Sequence, residues 1–564
     1  MLDEFIHEPR VAYFSMEIAL RNEMHTYSGG LGVLAGDTVR SAADMELPMV
    51  AVTLVSRQGY FRQIIDADGR QTEQPHPWDP NAFTRPLGAK VALRIDGRDV
   101  WVGARVYIHT GLGKGRQPVI LLDTDLEENH PDDRGITDSL YGGDTGYRLK
   151  QEMVLGIGGL RLLQAIGFEV RQYHMNEGHS ALLALELLRR HAYPPEDLRP
   201  GESPYDLPWV RDLCCFTTHT PVEAGHDRFD YALTGRLMDT PVDLSLLKQL
   251  AGESELNMTR LALNLSEYIN GVAKRHAETS SHLYPGYHVH AVTNGVHPFT
   301  WTSPGFRALY DRYVPGWSHE PELLMRADCC LPDAAVWEAH SQAREALQAR
   351  VAALTGVHLD PALPVLGFAR RMTAYKRPDL LFTDIGRLRA IAAQRPFQIV
   401  MAGKAHPNDS GGKGLIETLH RHIAELAGAI PMTFLPDYDM DLAALLVAGV
   451  DVWLNTPLPP MEASGTSGMK AAFNGVPNLS VLDGWWVEGC IEGVTGWSVG
   501  DGQSSTSDGD AAALYDRLEN TVLPLFHDNR DGWIAVMKGA IAKNAAFFNS
   551  HRMMRRYATE AYIR

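Results

Sequence analysis

Residues 461–470 read MEASGTSGMK and combine two glycines and three hydroxyl side chains with a closing lysine. Glycines let backbone N–H groups approach an anion closely, and the residues that follow predict a short helix whose N-terminus faces the same point. Lys470 could then lie beside a phosphate and form a Schiff base with an aldehyde. Taken alone, the segment is more simply an ordinary Gly/Ser turn with a solvated lysine.

A pair of cations follows the strand-like run VLGFA at residues 365–369. Arg371 and Lys376 stand five positions apart on a predicted strand-to-helix loop. The planar guanidinium of the arginine and the point charge of the lysine can converge on one phosphate. A solvated, charged start of a helix is an equally good interpretation of these two residues alone.

A glycine-rich turn and two polar motifs are further candidates for ligand contacts. In YSGGLGVLAGD, residues 27–37, the glycines lead into a predicted helix, which is typical of an anion-binding turn but also of close helix packing. HMNEGHS carries His174 and His179, and TNGVH carries Asn294 and His297. Such side chains suit hydroxyl-rich ligands. The first histidine pair lacks the spacing of a helical zinc motif, and structural hydrogen bonding is the alternative for either histidine alone.

The size and charge of the chain exclude several classes of protein. A length of 564 residues predicts two or three domains, and a net charge of −17 without long basic runs argues against nucleic-acid and anionic-membrane partners. Five cysteines have neither the density of a disulfide scaffold nor the spacing of a zinc site. We find no secretion signal and no apolar run long enough to span a membrane, so a cytoplasmic location is expected.

Short apolar runs rich in β-branched residues alternate with longer stretches of helical periodicity, which predicts an α/β fold with parallel sheets covered by helices. The Gly/Pro-bearing segment near residues 292–305 is the best candidate for a boundary. We therefore predict an N-terminal α/β domain over 1–295 and a C-terminal α/β domain over 296–564, with the last helix packing back on the first domain. A ligand between them would meet loops at the carboxyl ends of strands.

Eight blocks occur in an order and at a spacing that resembles the α-glucan phosphorylases, the glycogen and maltodextrin phosphorylase family, and most closely its short bacterial and archaeal branch. The resemblance covers residues 11 to 490. The blocks are YFSME, YSGGLGVLAGD, YRLKQE, HMNEGH, NGVH, RRMTAYKR, EASGTSGMK and NLSVLDGWWVEG.

This resemblance implies two Rossmann-like domains of the GT-B type with the active site in the cleft between them. It implies a retaining α-1,4-glucan phosphorylase that releases α-glucose 1-phosphate from the non-reducing end of glycogen or maltodextrin with inorganic phosphate. The implied cofactor is pyridoxal 5′-phosphate, and the implied assembly is a homodimer.

The resemblance also implies roles for individual residues. Lys470 would bind the cofactor as a Schiff base, Thr466, Ser467 and Arg370 would contact the cofactor phosphate, and Gly30, Arg371 and Lys376 would bind the substrate phosphate. Arg370, Arg371 and Lys376 would be the catalytic cations, and no metal is expected. The positions that would contact the glucosyl unit are His179, Asn294, Tyr375, Glu462, Ser464 and Gly465.

Two departures from the family pattern keep alternatives open. The family more often has Gly-Asn where this chain has Ser467-Gly468, and muscle-type members have lysine where this chain has Arg370. A non-catalytic glucan-binding homologue is therefore one alternative. The other is a nucleotide-sugar-dependent retaining glucosyltransferase; such enzymes commonly carry two glutamates with seven residues between them, and here Lys470 stands at that distance from Glu462. A cation cannot accept hydrogen bonds from ribose hydroxyls.

Overall fold

The computed structural model of the protein describes residues 2–6, 10–240, 242–502 and 506–563. These residues form an α/β structure built around two large sheets, which confirms the predicted fold class. Among the described helices, none combines the length and the apolar content that crossing a bilayer requires.

The first sheet has ten strands in the order β14-β13-β10-β9-β1-β2-β8-β7-β5, with β6 paired to β7. Pairing is parallel from β14 to β8 and antiparallel around β7. Two small antiparallel pairs, β3 with β4 and β11 with β12, lie outside it. The strands are β1 Arg10–Phe14, β2 Met49–Leu54, β3 Arg62–Ile65, β4 Gln71–Gln74, β5 Arg85–Pro86, β6 Val91–Ile95, β7 Arg98–Thr110, β8 Arg116–Asp123, β9 Val170–Asn176, β10 Cys214–Thr217, β11 Arg228–Asp230, β12 Glu255–Asn257, β13 Tyr268–Gly271 and β14 His290–Ala291.

The second sheet has six parallel strands in the order β17-β16-β15-β18-β19-β20. Numbered along the chain from β15, this is the order 3-2-1-4-5-6 of a doubly wound dinucleotide-binding sheet. The strands are β15 Val365–Ala369, β16 Gln398–Ala402, β17 Met432–Leu435, β18 Val452–Asn455, β19 Asn478–Val481 and β20 Gly496–Val499.

Helices cover both sheets. Those before residue 295 are α1 Asp3–Ile6, α2 Gly30–Asp44, α3 Pro80–Phe83, α4 Pro131–Arg134, α5 Thr145–Met153, α6 Gly159–Ile166, α7 Leu182–Arg190, α8 Leu207–Leu213, α9 Tyr231–Leu237, α10 Leu244–Ala251, α11 Met258–Asn264 and α12 Lys274–Leu283. Those after it are α13 Pro298–Trp301, α14 Pro304–Tyr313, α15 Ala327–Cys330, α16 Asp333–Thr355, α17 Ile385–Gln394, α18 Ser410–Leu426, α19 Met440–Gly449, α20 Ser467–Ala472, α21 Trp486–Gly489, α22 Ser507–Arg517, α23 Leu523–Asp528, α24 Arg530–Gly539 and α25 Ser550–Tyr557.

The strand order locates where a ligand site is expected. In each sheet the order reverses at one point, between β1 and β9 in the first and between β15 and β18 in the second. Ligands of open parallel sheets bind outside the carboxyl ends of strands at such a switch point. The loops that follow these four strands are therefore the expected site.

A buried carboxylate fixes the two strands at the switch point of the second sheet. Asp451 interrupts an apolar run just before β18; its Oδ2 accepts a hydrogen bond from the Val365 N–H at 2.9 Å, and His340 Nε2 lies 3.0 Å from its Oδ1. A charge at this depth requires such partners. Asp451 thereby holds the start of β15 against β18. This pairing also fixes the positions of the loops that follow the two strands.

The end of the chain returns to the first sheet. Helix α25 packs against α2, and the Ser550 hydroxyl lies 2.6 Å from the Ser41 hydroxyl. Met554 and Tyr557 share one buried apolar cluster with Tyr13 and other residues near the first sheet. The predicted domain boundary at residue 295 falls between the last strand of the first sheet and the first strand of the second, and it stays a prediction.

Candidate active site

Hydrogen bonds join the loops that follow β15 and β18. The Thr456 hydroxyl donates to the carbonyl oxygens of Lys376 at 3.1 Å and of Arg377 at 2.9 Å. The Leu458 N–H donates to the Tyr375 carbonyl at 2.8 Å. The predicted phosphate-binding loop and the turn that bears the lysine are therefore neighbours.

Glu462 bridges two of the predicted phosphate-binding cations. Its Oε2 accepts hydrogen bonds from Lys376 Nζ at 2.6 Å and from Arg370 Nη2, and less than a tenth of each side chain is exposed. Burial raises the pKa of the Glu462 carboxyl, but the two cations outweigh burial and hold that pKa at about 2. Within the described residues, the buried Arg370 Nη1 has no hydrogen-bond partner, so this group is left for a ligand.

Arg371, in the loop after β15, lies beside the glycine-rich turn that precedes α2. A Cβ placed on Gly29 would lie 3.2 Å from Arg371 Nη2. Gly30, the first residue of α2, is exposed, and a Cβ there would meet nothing within 4 Å. The structure thus brings together two of the predicted substrate-phosphate positions, Arg371 and Gly30, beside open space.

Glu17, in the loop after β1, is a residue of this site to which we assigned no role from the sequence. Its Oε2 accepts hydrogen bonds from the N–H groups of Ser28 at 2.6 Å and Gly29 at 3.1 Å, and its Oε1 accepts one from the Tyr141 hydroxyl at 3.0 Å. A Cβ on Gly32 would lie 2.6 Å from Glu17 Oε2. The turn therefore binds an anion, as its glycines predict, and in this structure the anion is an internal carboxylate. Glu17 is the last residue of the YFSME block, which carries part of the family resemblance but does not reveal the partners of this carboxylate.

Lys470 is buried in an aromatic pocket between the two halves. Its Nζ lies 3.7 Å from the ring centroid of Trp301, whose Nε1 donates to Asp37 Oδ2 at 2.8 Å. Burial lowers the pKa of the Lys470 ammonium to about 8, although Asp37 acts in the opposite direction. In the described part of the chain Lys470 has no ion-pair partner. About a tenth of the amine is therefore neutral and nucleophilic at pH 7, far more than in a solvated lysine.

The residues just before Lys470 form a tight turn that leads into α20. Gly465 adopts φ +83°, in the left-handed region that favours glycine, and α20 begins at Ser467. The Ser467 hydroxyl accepts a hydrogen bond from Trp453 Nε1 at 3.0 Å, whereas the buried Ser464 hydroxyl has no partner among the described residues. Thr466 is the residue before α20, and its side chain does not cap that helix. The Ser464 hydroxyl is therefore left for a ligand.

Gly468→Ala is expected to lower the free energy of unfolding by about 1–3 kcal/mol. The new Cβ would lie 2.2 Å from Asn478 Oδ1 and 2.8 Å from a ring carbon of Trp485, and Asn478 is held there by donating to the Gly468 carbonyl at 3.1 Å. Asn478 thus fills the space that the family's more frequent asparagine at position 468 would need. Urea unfolding measures the effect.

Gly414→Ala is the matched control for that substitution. Gly414 also lies in a helix, α18, but a Cβ there would meet nothing within 4 Å. Alanine at this position is expected to raise the free energy of unfolding by about 0.5–1 kcal/mol. Equal effects of the two substitutions would contradict the packing described around Gly468.

His179 lies in the loop after β9, at the switch point of the first sheet. Its side chain is 12% exposed, and its Nε2 lies 3.5 Å from Asp227 Oδ2. Burial and the nearby Arg148 lower the pKa of His179 to about 3, so the imidazole is neutral. Its ring lies 6.0 Å from that of Tyr141, which links it to Glu17. His179 Nδ1 has no partner among the described residues, so it can bind a ligand hydroxyl.

Asn294 and Glu462, two of the other predicted sugar contacts, lie on turns that are held in place by hydrogen bonds. The Asn294 carbonyl accepts a hydrogen bond from Arg552 at 3.0 Å, and the Thr293 hydroxyl donates to Glu488 at 2.9 Å. Asp483, to which the sequence assigned no role, accepts a hydrogen bond from the Glu462 N–H at 2.8 Å. Burial raises the pKa of Asp483 to about 6. The NLSVLDGWWVEG block, which includes Asp483 and Glu488, therefore supports both turns.

Tyr375, another predicted sugar contact, lies next to Lys376, whose Nζ is 4.5 Å from the tyrosine ring centroid.

Comparison with known proteins shows the family of the chain. Residues 226–495 match the family model described as carbohydrate phosphorylase. The chain is 40% identical to a maltodextrin phosphorylase of Thermococcus litoralis over 98% of this chain and 70% of that protein. It is 35% identical to a glycogen phosphorylase of Aquifex aeolicus over 99% of this chain and 87% of that protein, and 36% identical to one of Mycobacterium bovis over 98% and 70%. The resemblance read from the eight blocks is confirmed, and the chain belongs to the carbohydrate phosphorylase family.

Proposed function

We propose that the protein is a retaining α-1,4-glucan phosphorylase, a hexosyltransferase that releases α-glucose 1-phosphate from the non-reducing end of glycogen or maltodextrin with inorganic phosphate. One observation carries the proposal: Arg371 of the loop after β15 lies beside the glycine turn after β1, and the neighbouring loop after β18 leads to a buried, partly neutral lysine. The relatives named maltodextrin and glycogen phosphorylase support it.

We infer that the site holds pyridoxal 5′-phosphate through Lys470, with Thr466, Ser467 and Arg370 at its phosphate. Arg370 Nη1, which is buried and has no hydrogen-bond partner among the described residues, fits the phosphate of such a cofactor. When bound, it supplies a phosphate that takes part in proton transfer beside the substrate phosphate.

The cations of the chain bind and orient the substrate phosphate. Two phosphates placed close together repel each other, so positive charge must surround them. Arg371 is positioned to do this beside the backbone of Gly30, and Lys376 and Arg370 are held nearby by Glu462. As the glycosidic bond breaks, the sugar becomes oxocarbenium-like, and phosphate attacks from the same face. We assign no carboxylate of the chain as a nucleophile.

The glucosyl unit is bound by groups that can pair with hydroxyls. We assign this role to His179, Asn294, Tyr375, Glu462, Ser464 and Gly465. The Nδ1 of His179 and the hydroxyl of Ser464 have no partner among the described residues, and they support this role because a buried sugar hydroxyl needs a partner. The ion pair of Glu462 with Lys376 adds a second role, which is to hold the phosphate-binding cations in place.

Acid is expected to remove the stabilisation that the Glu462 cluster provides. The pKa of Glu462 is about 2 in the folded protein and ordinarily 4.5, so the stabilisation is complete above pH 4.5 and disappears as pH falls towards 2. It amounts to about 3 kcal/mol. The difference in unfolding free energy between wild type and Glu462→Gln should therefore be full at pH 7 and shrink below pH 4.5. Glu345→Gln, at an exposed position of α16, should show no such change; a constant difference for Glu462→Gln would contradict the ion pair.

We also propose a cytoplasmic location and a homodimer. The five cysteines are all free, which supports a reducing compartment. Light scattering after size exclusion tests the assembly.

The proposed reaction is tested by comparing donors. Purified protein with bound cofactor is given maltoheptaose with inorganic phosphate, and in parallel maltoheptaose with UDP-glucose or ADP-glucose. We expect glucose 1-phosphate in the first mixture, in proportion to phosphate, and no chain extension in the others. Extension by a nucleotide sugar would establish the transferase alternative, and glucan binding without either reaction would establish a non-catalytic protein.

A further inference from the structure

A compact group of side chains of the types that can bind a metal ion lies outside the site described above. Asp44 is the last residue of α2, His297 precedes α13, and His551 is the second residue of α25. Their ligand atoms lie within 4.8 Å of one another, and each side chain is no more than 5% exposed. Three distant segments of the chain therefore place one carboxylate and two imidazoles at a single buried point.

The hydrogen bonds of His551 leave its Nε2 with an unusual partner. Its Nδ1 lies 3.2 Å from the His319 carbonyl oxygen, which can only accept, and its Nε2 lies 3.2 Å from Asp44 Oδ2. A neutral imidazole has one N–H group. If Nδ1 donates to the carbonyl, the lone pair of Nε2 faces a carboxylate oxygen. Either a proton or a metal cation must then lie between these two atoms.

The surrounding groups match the outer partners of a metal site. Metal-binding histidines commonly donate their second ring nitrogen to a backbone carbonyl, as His551 Nδ1 can. Asp44 Oδ1, the oxygen that does not face the histidines, accepts from the Leu112 N–H at 2.6 Å. The Nδ1 of His297 accepts a hydrogen bond from the Thr300 N–H at 3.2 Å and lies 2.7 Å from the Thr300 hydroxyl. The neutral ring therefore carries its proton on Nε2, which is directed at Asp44. An ion at Nε2 would move that proton to Nδ1, which could then donate to the Thr300 hydroxyl. All three side chains are therefore oriented by second partners.

We propose that Asp44, His297 and His551 form a binding site for a divalent transition-metal ion of the Zn²⁺ class. Nε2 of His297 and Nε2 of His551 lie 2.8 Å and 3.2 Å from Asp44 Oδ2. Ligands of a tetrahedral zinc ion are about 3.3 Å apart, so small shifts would admit the ion. Two imidazoles and one carboxylate favour zinc over magnesium or calcium.

The ion would have a structural role. Helix α2 has 15 residues, which places Asp44 about 21 Å along the helix from the turn at Gly30. The ion would fasten α25 to the end of α2 and to the turn that carries Asn294. This proposal departs from the expectation of no metal, and it does not depend on the proposed reaction.

Equilibrium dialysis of the chelator-treated full chain against Zn²⁺ and the visible spectrum with Co²⁺ test the proposal. We expect one ion per chain, a tetrahedral Co²⁺ spectrum and a higher thermal midpoint with Zn²⁺. His551→Gln keeps a donor to Asp44 but removes the imidazole, and it should weaken binding at least 100-fold. Asp44→Asn provides a second test if the first variant does not fold.

His340→Gln is the matched control. His340 is also buried against a carboxylate, Asp451, but among the described residues no third ligand completes a cluster there. That variant should bind the ion as wild type does, whatever it loses in stability. Absence of a tightly bound ion in wild type would show that a proton bridges His551 and Asp44, and equal binding by His551→Gln would place the ion elsewhere. Either result would overturn the proposal.

Discussion

Lys470→Ala is expected to lower kcat/KM for glucan phosphorolysis by about 1,000-fold or more and to abolish the absorbance of bound pyridoxal phosphate. The reason is the position of the amine, which is buried over the Trp301 ring and has a pKa of about 8. The fold should survive because, in the described part of the chain, the substitution leaves no ion-pair partner without its counter-charge. Steady-state rates and the absorbance spectrum of the same preparation measure both effects.

Lys538→Ala is the control for Lys470→Ala. Lys538 is also largely buried, at 13% exposure, but it pairs with Asp333 and lies on α24. That variant should keep both the cofactor and the rate. Retention of the cofactor absorbance by Lys470→Ala would contradict the assignment of this lysine.

Lys376→Ala is expected to lower kcat/KM for inorganic phosphate by about 100- to 1,000-fold. The substitution removes a cation 2.6 Å from Glu462 Oε2 and so lowers the positive charge available to the substrate phosphate. The KM for phosphate should rise more than the KM for glucan, because the lysine is assigned to the phosphate and not to the sugar. Initial rates over a matrix of the two substrate concentrations separate these effects.

Two further variants make the result for Lys376 specific. Lys376→Arg keeps the charge but replaces a point charge with a planar fork, so it should recover part of the activity. Lys404→Ala removes another lysine of the second half, one that pairs with Asp437 at 2.7 Å, and should leave the phosphate KM unchanged. An equal loss for glucan and phosphate in Lys376→Ala would contradict its role.

The fold class could be predicted because burial has a local signature. Strands β15 and β16 are buried at every position and read as short apolar runs, as strands covered on both faces must. The cation loop and the lysine turn could also be found, because each lies in one short segment after such a strand. Strand order then brings the two segments together, and that order cannot be read from either segment.

Partners that are distant in the chain could not be predicted. Glu462 was expected to contact the sugar, and its ion pairs cross 86 and 92 residues. Asp44 and His551 are 507 residues apart. Glu17 is only 11 residues from Ser28, but its carboxylate had no feature in the sequence that distinguished it from a solvated one. Such pairings depend on how the sheets and the last helix assemble.

The most direct test of phosphorolysis is proton and phosphorus NMR of maltoheptaose incubated with the protein, its cofactor and inorganic phosphate. The account predicts α-glucose 1-phosphate, formed in equal number to the glucosyl units lost, and no product when phosphate is omitted. The β-anomer, or free glucose formed without phosphate, would contradict it.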